Sequence, residues 1–183
     1  MQNENKENIT YIITIPEVGN RSMTVQLTET EIGALIHEPK ILPEDFRIRI
    51  RPRTKRGHKE FEYEVAGQHG HTFLLKFRQS ELNTLDFSVI LLYIPKGSNQ
   101  HFRLRRYNGK SHEHTNKIEG DTFFGFHIHT ATERYQQQGL DEDAFAEQTD
   151  RYADFISATD CMLKDCGFAI SGKNKSLTLW GMN

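Results

Sequence analysis

Apolar and polar positions alternate with period two through much of the chain, which is the signature of half-buried strands. Ile9 to Ile15 is rich in β-branched residues and reads as a strand. Pro16 to Asn20 breaks it, and Arg21 to Leu27 supplies a hairpin partner. Phe46, Ile48 and Ile50 alternate with Arg47, Arg49 and Arg51, and Phe61, Tyr63 and Val65 alternate with Glu60, Glu62 and Glu64. Placing these two stretches side by side, joined by the loop Pro52 to Lys59, faces Arg51 with Glu60, Arg49 with Glu62 and Arg47 with Glu64. Gly67 and Gly70 mark a turn, with His69 and His71 exposed on it, before a strand from Thr72 to Arg78. Ser80 to Asp86 is a connector. Phe87 to Ile94 is the most apolar strand and is expected at the centre of the sheet. Pro95 to Ser98 turns the chain into a neighbouring strand, Phe102 to Tyr107, and Asn108-Gly109 reads as a further turn.

Helical spacing appears in three places. Thr28 and Glu31 have the spacing of a capping box, predicting a helix from about Glu29 to His37 that stops before Pro39. Thr130 and Glu133 repeat that spacing ahead of a short helix ended by Gly139. From Asp141, the residues Phe145, Tyr152, Phe155, Ile156, Met162 and Leu163 recur at helical intervals, with Asp141, Glu142 and Asp143 at the N-terminal dipole end. A long amphipathic helix ending near Cys166 is therefore expected, followed by a hairpin of Phe168 to Ile170 with Ser176 to Trp180. The pattern adds up to one α+β domain over residues 1–183: a mostly antiparallel β-sheet packed against a long C-terminal amphipathic helix.

Composition narrows the function classes. Apolar residues make up 36% of the chain, and the longest apolar run, Val89 to Ile94, is far short of a membrane span. No membrane partner is expected. The polar N-terminus carries no basic-then-apolar signal, so a cytoplasmic location is the expectation. Cys161 and Cys166 are the only cysteines, too few for a disulfide framework or a cysteine zinc site. The net charge of −2 conceals an asymmetry: residues 41–110 carry 14 Lys and Arg against 7 Asp and Glu, while residues 111–183 carry 6 against 12. A basic middle suits an anionic ligand, and it equally suits docking of one part of the chain on the other. The loop Pro52 to Lys59 has no acidic stretch to match it and is the better candidate for touching phosphate.

The chemistry concentrates between Phe102 and Arg134. Two His-x-His pairs, His112/His114 and His127/His129, follow Arg103, Arg105 and Arg106. In a strand, His127 and His129 share one face and Phe126 and Ile128 the other. A turn near Ile118 to Asp121 would bring all four imidazoles together. Alternation puts Arg103 and Arg105 together on one face, so these two are expected to border the histidine cleft and Arg106 to point elsewhere. Three uses compete. Paired imidazoles can act as acid and base on an RNA phosphodiester, with arginine stabilising the phosphorane charge. His-x-His from one strand and a histidine or carboxylate from another, Glu113 or Glu133, can hold a divalent metal. Or the imidazoles are satisfied structurally. The cationic surroundings favour metal-free chemistry, so no cofactor is expected, a divalent metal at the cluster being the runner-up. The His-x-Ser/Thr repeats of two-histidine phosphoesterases, a phosphate-cradling Gly-rich loop and a Gly-x-Ser-x-Gly elbow are all missing.

The stretch FRLRRYNG…HEH…FGFHIH, about a sixth of the chain, resembles the end of the small prokaryotic TumE-like toxins. There an arginine-rich strand leads to an RxDN-like turn and two histidine clusters. Tyr107-Asn108-Gly109 departs from Asp-Asn, and Gly125-Phe126 from Pro-His. The resemblance implies a toxin of a toxin–antitoxin or phage-defence system, with His112, His114, His127 and His129 as matched positions. The expected function is a metal-independent endoribonuclease in which those histidines are catalytic and Arg103, Arg105 and Arg106 bind phosphate. Its partners would be RNA, a cognate antitoxin protein and a second copy of the chain. The competing reading is a non-catalytic binding or inhibitor protein of a phage or mobile element, docking on a nucleic-acid-binding partner.

Overall fold

Residues 25–172 are described in the structure, a computed structural model. The expected hairpin of Ile9 to Ile15 with Arg21 to Leu27 lies almost wholly outside them, as does the expected strand Ser176 to Trp180. Helix α1 (Glu29–His37) begins at the predicted capping box: the Thr28 hydroxyl accepts from the Glu31 amide while the Glu31 carboxylate accepts from the Thr28 amide. It buries Ile32, Leu35 and Ile36 and ends before Pro39. Strand β1 (Lys40–Leu42) follows.

The next segment departs from the sequence pattern. Phe46 to Arg51 is not a strand: helix α2 (Phe46–Arg49) buries Phe46 completely and leaves Ile48 largely exposed. The expected strand pairing of Phe46 to Arg51 with Glu60 to Val65 is therefore absent among the described residues. Instead β2 (Arg53–Lys55) and β3 (His58–Ala66) form a hairpin closed by Arg56-Gly57, both at positive φ (51° and 76°), the geometry of a two-residue primed turn. The Glu stripe finds its cations on the other side, across β4 (Thr72–Ser80): Glu62 pairs with Lys76 at 2.6 Å and Glu60 with Arg78 at 3.7 Å.

Strand β5 (Phe87–Ile94) matches its predicted bounds, and β6 (Phe102–Asn108) follows. Then come a small hairpin of β7 (Glu113–Thr115) and β8 (Thr122–Phe124), strand β9 (His127–Thr130), helix α3 (Glu133–Gln137), β10 (Ala146–Gln148), helix α4 (Phe155–Asp165) and β11 (Phe168–Ile170). Thr132, not Thr130, caps α3. The main sheet is seven-stranded and antiparallel throughout, in the order β10-β9-β6-β5-β4-β3-β2, with the apolar β5 in the middle as expected. β1 and β11 pair in parallel.

The expected long C-terminal helix is 11 residues, capped by Asp154 and Ser157. The span Asp141 to Asp154 holds β10 and loop instead. Helix α4 packs on β5 and β6 and buries Cys161, Met162 and Leu163 against Val89, Leu91, Tyr107 and Ile128. Cys161 and Cys166 are both buried free thiols. Gly109 is no turn residue either: a Cβ there would lie 1.9 Å from the Leu85 carbonyl oxygen, so glycine permits a close backbone approach. No helix among the described residues is long and apolar enough to cross a membrane.

Candidate functional site

Strand β9 runs beside β6, with His127 opposite Asn108, Ile128 opposite Tyr107 and His129 opposite Arg106. Ile128 enters the core between the sheet and α4, so His127 and His129 project from the other face. Phe126 packs on the edge of the same core. The Tyr152 hydroxyl lies 2.7 Å from the His127 carbonyl and 3.0 Å from that of Asn108, and donates to this pair of oxygens across the two strands.

The β7–β8 hairpin turns at Asn116 to Asp121, where the Asn116 amide donates to the Asp121 carbonyl and Gly120 to that of Asn116. This lays the hairpin over β9. The His114 ring stacks on His127 with centroids 5.4 Å apart and meets His129 edge-on at 4.7 Å. His112 meets His127 edge-on at 5.4 Å, and Phe123 of β8 covers His127 at 5.7 Å. The four imidazoles thus converge. His127 and His129 are buried, at 0% and 2% exposure, His114 is half-buried and His112 is exposed.

Hydrogen bonds assign the protons. His127 Nδ1 lies 2.8 Å from the Gly125 carbonyl and His129 Nδ1 lies 2.8 Å from the Asp143 carbonyl. A carbonyl only accepts, so both rings carry Nδ1–H and keep a bare Nε2. His114 Nε2 lies 3.0 Å from Oδ1 of Asn116, whose amide is oriented by both backbone groups of Ala146. That ring therefore carries Nε2–H and a bare Nδ1. The Asn108 side-chain nitrogen reaches both bare Nε2 atoms at 3.3 Å, while its oxygen accepts from Ser88. Those 3.3 Å contacts are long for hydrogen bonds, and leave the two lone pairs weakly satisfied.

Burial is the main force on the basicity of the pair. It lowers His127 to about 4, with His114, His112 and Arg106 adding and the Gly125 carbonyl opposing. It lowers His129 to about 2, with Arg106 the next contributor. Both are neutral at physiological pH. One ring nitrogen from each of His114, His127 and His129 lies within 4.8 Å of the others, a set able to hold a metal ion. Tetrahedral coordination of zinc would need nitrogens about 3.3 Å apart, a closure of the order of 1 Å.

The arginines do not follow the expected faces. A bulge opposite Leu91 and Leu92 sets Arg105 against Leu91 and Arg103 against Leu92, which brings Arg103 to the side of Arg106, while Arg105 and Arg106 keep opposite faces in regular register with β9. Arg105 turns to the helix side, beside Tyr107 and Asp165. Arg106 comes to the histidine side, its Nη2 3.2 Å from His129 Nδ1. Arg103 and Arg106 both face the buried Asp143, at 3.4 and 3.1 Å, so each of the three arginines already meets a carboxylate. Burial raises the Asp143 carboxyl, with Arg106 and Arg103 opposing. Asn108, Asn116 and Asp143 escaped the sequence reading. Asn108 was legible: it lies two residues after Arg106 on one strand, hence on the same face.

Comparison with protein-family models, curated proteins and solved structures finds no match for this chain.

Proposed function

We propose that the protein binds a transition-metal ion through His114, His127 and His129, and that this centre is its functional element. One observation carries the reading. Each imidazole donates its single N–H to a fixed oxygen, of Asn116, Gly125 or Asp143, and its other nitrogen carries a lone pair, met in His127 and His129 only by the Asn108 amide at 3.3 Å, while one ring nitrogen of each of the three lies within 4.8 Å of the others. Metal-bound histidines have this outer hydrogen bond almost always. Three neutral nitrogens suit zinc, copper, nickel or iron(II) rather than magnesium or calcium. Three protein ligands leave a coordination position for water, the arrangement of hydrolytic metal sites. His112, exposed beside His127, is placed to complete the set or to move a proton. The expected ribonuclease chemistry is thereby recast as metal-assisted hydrolysis.

A second reading keeps the acid–base scheme on His112 and His114 alone. What favours it is access: these two reach solvent, while His127 and His129 are buried and neutral and cannot serve as the acid. Titration of the chelator-treated chain with zinc and cobalt(II) separates the two. The metal reading expects stoichiometric binding with the visible absorption of tetrahedral cobalt. Asn116→Ala should weaken it by about 10–100-fold, and His129→Ala by more. His37→Ala, an exposed histidine on α1, is the control. Binding unchanged in His129→Ala would end the metal reading. RNA cleavage that persists in chelator and is lost in His114→Ala would install the acid–base one. Growth arrest on expression, relieved by His129→Ala in a folded protein, is the expected sign of a toxin.

A further inference from the structure

The strand register carries a continuous face across the sheet. Arg53, Glu60, Arg78, Ser88, Asn108 and His127 stand directly opposite one another in successive strands from β2 to β9. Directly opposed residues share a face, so this polar row lies on the side away from α4. The alternate row, Phe61, Phe77, Val89, Tyr107 and Ile128, is the helix-covered core side.

At the β2 edge the chain forms a cleft of about 580 Å³ lined by Arg49, Arg51, Arg53 and Lys55 together with Glu60, Phe61 and Glu62. Both glutamates are engaged by β4, through Arg78 and Lys76. Arg49 pairs with Asp45. Among the described residues, Arg51, Arg53 and Lys55 form no salt bridge, so the cleft has a surplus of positive charge. Cations on an edge strand have an ordinary purpose, the blocking of edge-to-edge pairing. That accounts for Arg53 and Lys55. Arg49 and Arg51 precede the strand yet line the same cleft, Arg49 held by Asp45 and Arg51 donating to the Ile48 and Ile50 carbonyls, which leaves the Arg51 charge without a carboxylate. Across the edge, Phe61 also lines a second, apolar groove of about 260 Å³, with Ile50, Pro52, Phe77, Phe155 and Ile156.

We infer that this edge is a binding site for single-stranded nucleic acid, its phosphates on the Arg and Lys cleft and an unpaired base in the groove beside Phe61. A cationic track with an aromatic platform next to it is what a single strand requires. A duplex keeps its bases stacked and can use only the cations. An acidic peptide matches the charge but not the aromatic groove. The inference goes beyond the metal reading and does not depend on it, because it concerns binding by the metal-free chain at the opposite end of the sheet.

The test is fluorescence anisotropy in chelator, with labelled oligouridine and oligothymidine of about 12 nucleotides, long enough for a small single-strand site. A duplex of equal length and polyglutamate serve as competitors. Binding should weaken with salt at a logarithmic slope of about −2 to −3, corresponding to three or four phosphate contacts. The triple variant Arg51→Gln, Arg53→Gln, Lys55→Gln should lose about tenfold or more in affinity and about two units of slope. All three residues are exposed, and an unchanged melting temperature checks the fold. Phe61→Leu should weaken single-strand binding about fivefold while leaving the slope unchanged. An unchanged triple variant, no salt-dependent binding, or competition by polyglutamate at matched charge as strong as by the single strand would overturn the inference. The last outcome would assign the cleft to an acidic protein.

Discussion

Lys40 is fully buried, and its ammonium lies 2.7–3.1 Å from four carbonyl oxygens, those of Leu35, Ile36, Glu38 and Cys166. It closes the C-terminal ends of α1 and α4 at once, where helix carbonyls lack partners. It also lies over the Phe73 ring at 4.2 Å. Burial lowers its pKa from 10.5 to about 8. Between those values the unfolded chain holds a proton that the folded chain releases, so stability must rise with pH through that window and fall back as pH drops to 8. The difference is roughly 3 kcal/mol by linkage. Chemical denaturation from pH 7.5 to 10.5 should show this rise in the native protein and a flatter profile in Lys40→Met. Equal slopes in the two proteins would refute the assignment. Sequence offered no sign of this role, since a lysine between Pro39 and Ile41 has no period or motif to mark it. The His127/His129 pair is the opposite case. Its shared face follows from strand geometry alone, whereas its neutral tautomers depend on carbonyls of Gly125 and Asp143 that only the folded chain supplies.

Among the elements, those with a local start and stop signal matched their expected bounds. α1 has its capping box and Pro39, and β5 is apolar enough to be central wherever the chain folds. Two others depart from their sequence pattern for physical reasons. Six alternating residues from Phe46 to Arg51 also fit one turn of helix, and α2 buries Phe46 while leaving Ile48 exposed. Phe145 and Tyr152 fall at helical spacing by chance. The true N-cap, Asp154, bonds Ser157, while Asp143 leaves the expected helix to neutralise Arg103 and Arg106. Asn108-Gly109 imitated a hairpin turn, yet β6 pairs with β9 across an intervening hairpin. Gly109 is there for contact with the backbone of Leu85. Gly109→Ala should therefore destabilise the protein by about 1–3 kcal/mol, as overpacking does. A urea midpoint unchanged from the native value would show that the β5–β6 end yields without cost.

At the scale of the whole molecule the candidate metal centre joins two sheets. His127 and His129 belong to the seven-stranded sheet and His114 to the separate β7–β8 pair. A metal ion held by all three would tie the hairpin to the main sheet. Zinc at about 100 times its dissociation constant should add about 2.7 kcal/mol of stability, the mass-action value for a ligand that binds only the folded state. Amide exchange in β7 and β8 should slow in parallel. Stabilisation of equal size in His114→Ala would place the metal elsewhere. The same register that brings the histidines under the hairpin also aligns them with the Arg53 edge. Five strand spacings, roughly 24 Å, separate the two along one face.

What the chain determined by itself is local. It set the alternation that puts His127 and His129 on one face, the α+β class with a mostly antiparallel sheet, and the central place of β5. These depend on a strand period of two and on apolar content, both contained within a few residues. The approach of His112 and His114 belongs instead to the packing of a separate hairpin. What only the tertiary structure decided is partnership. The Glu stripe of β3 finds Lys76 and Arg78 on β4, a strand held in place by burial of Phe77 and Val89 in the core. Pairing of Arg106 with His129 decided which arginine meets the histidines, and one bulge in β6 brought Arg103 to the same side. The tautomers, the buried Asp143 and the Lys40 cage were settled by backbone groups brought from distant parts of the chain. Long-range pairing answers to the burial of the whole core, and no local pattern carries that information.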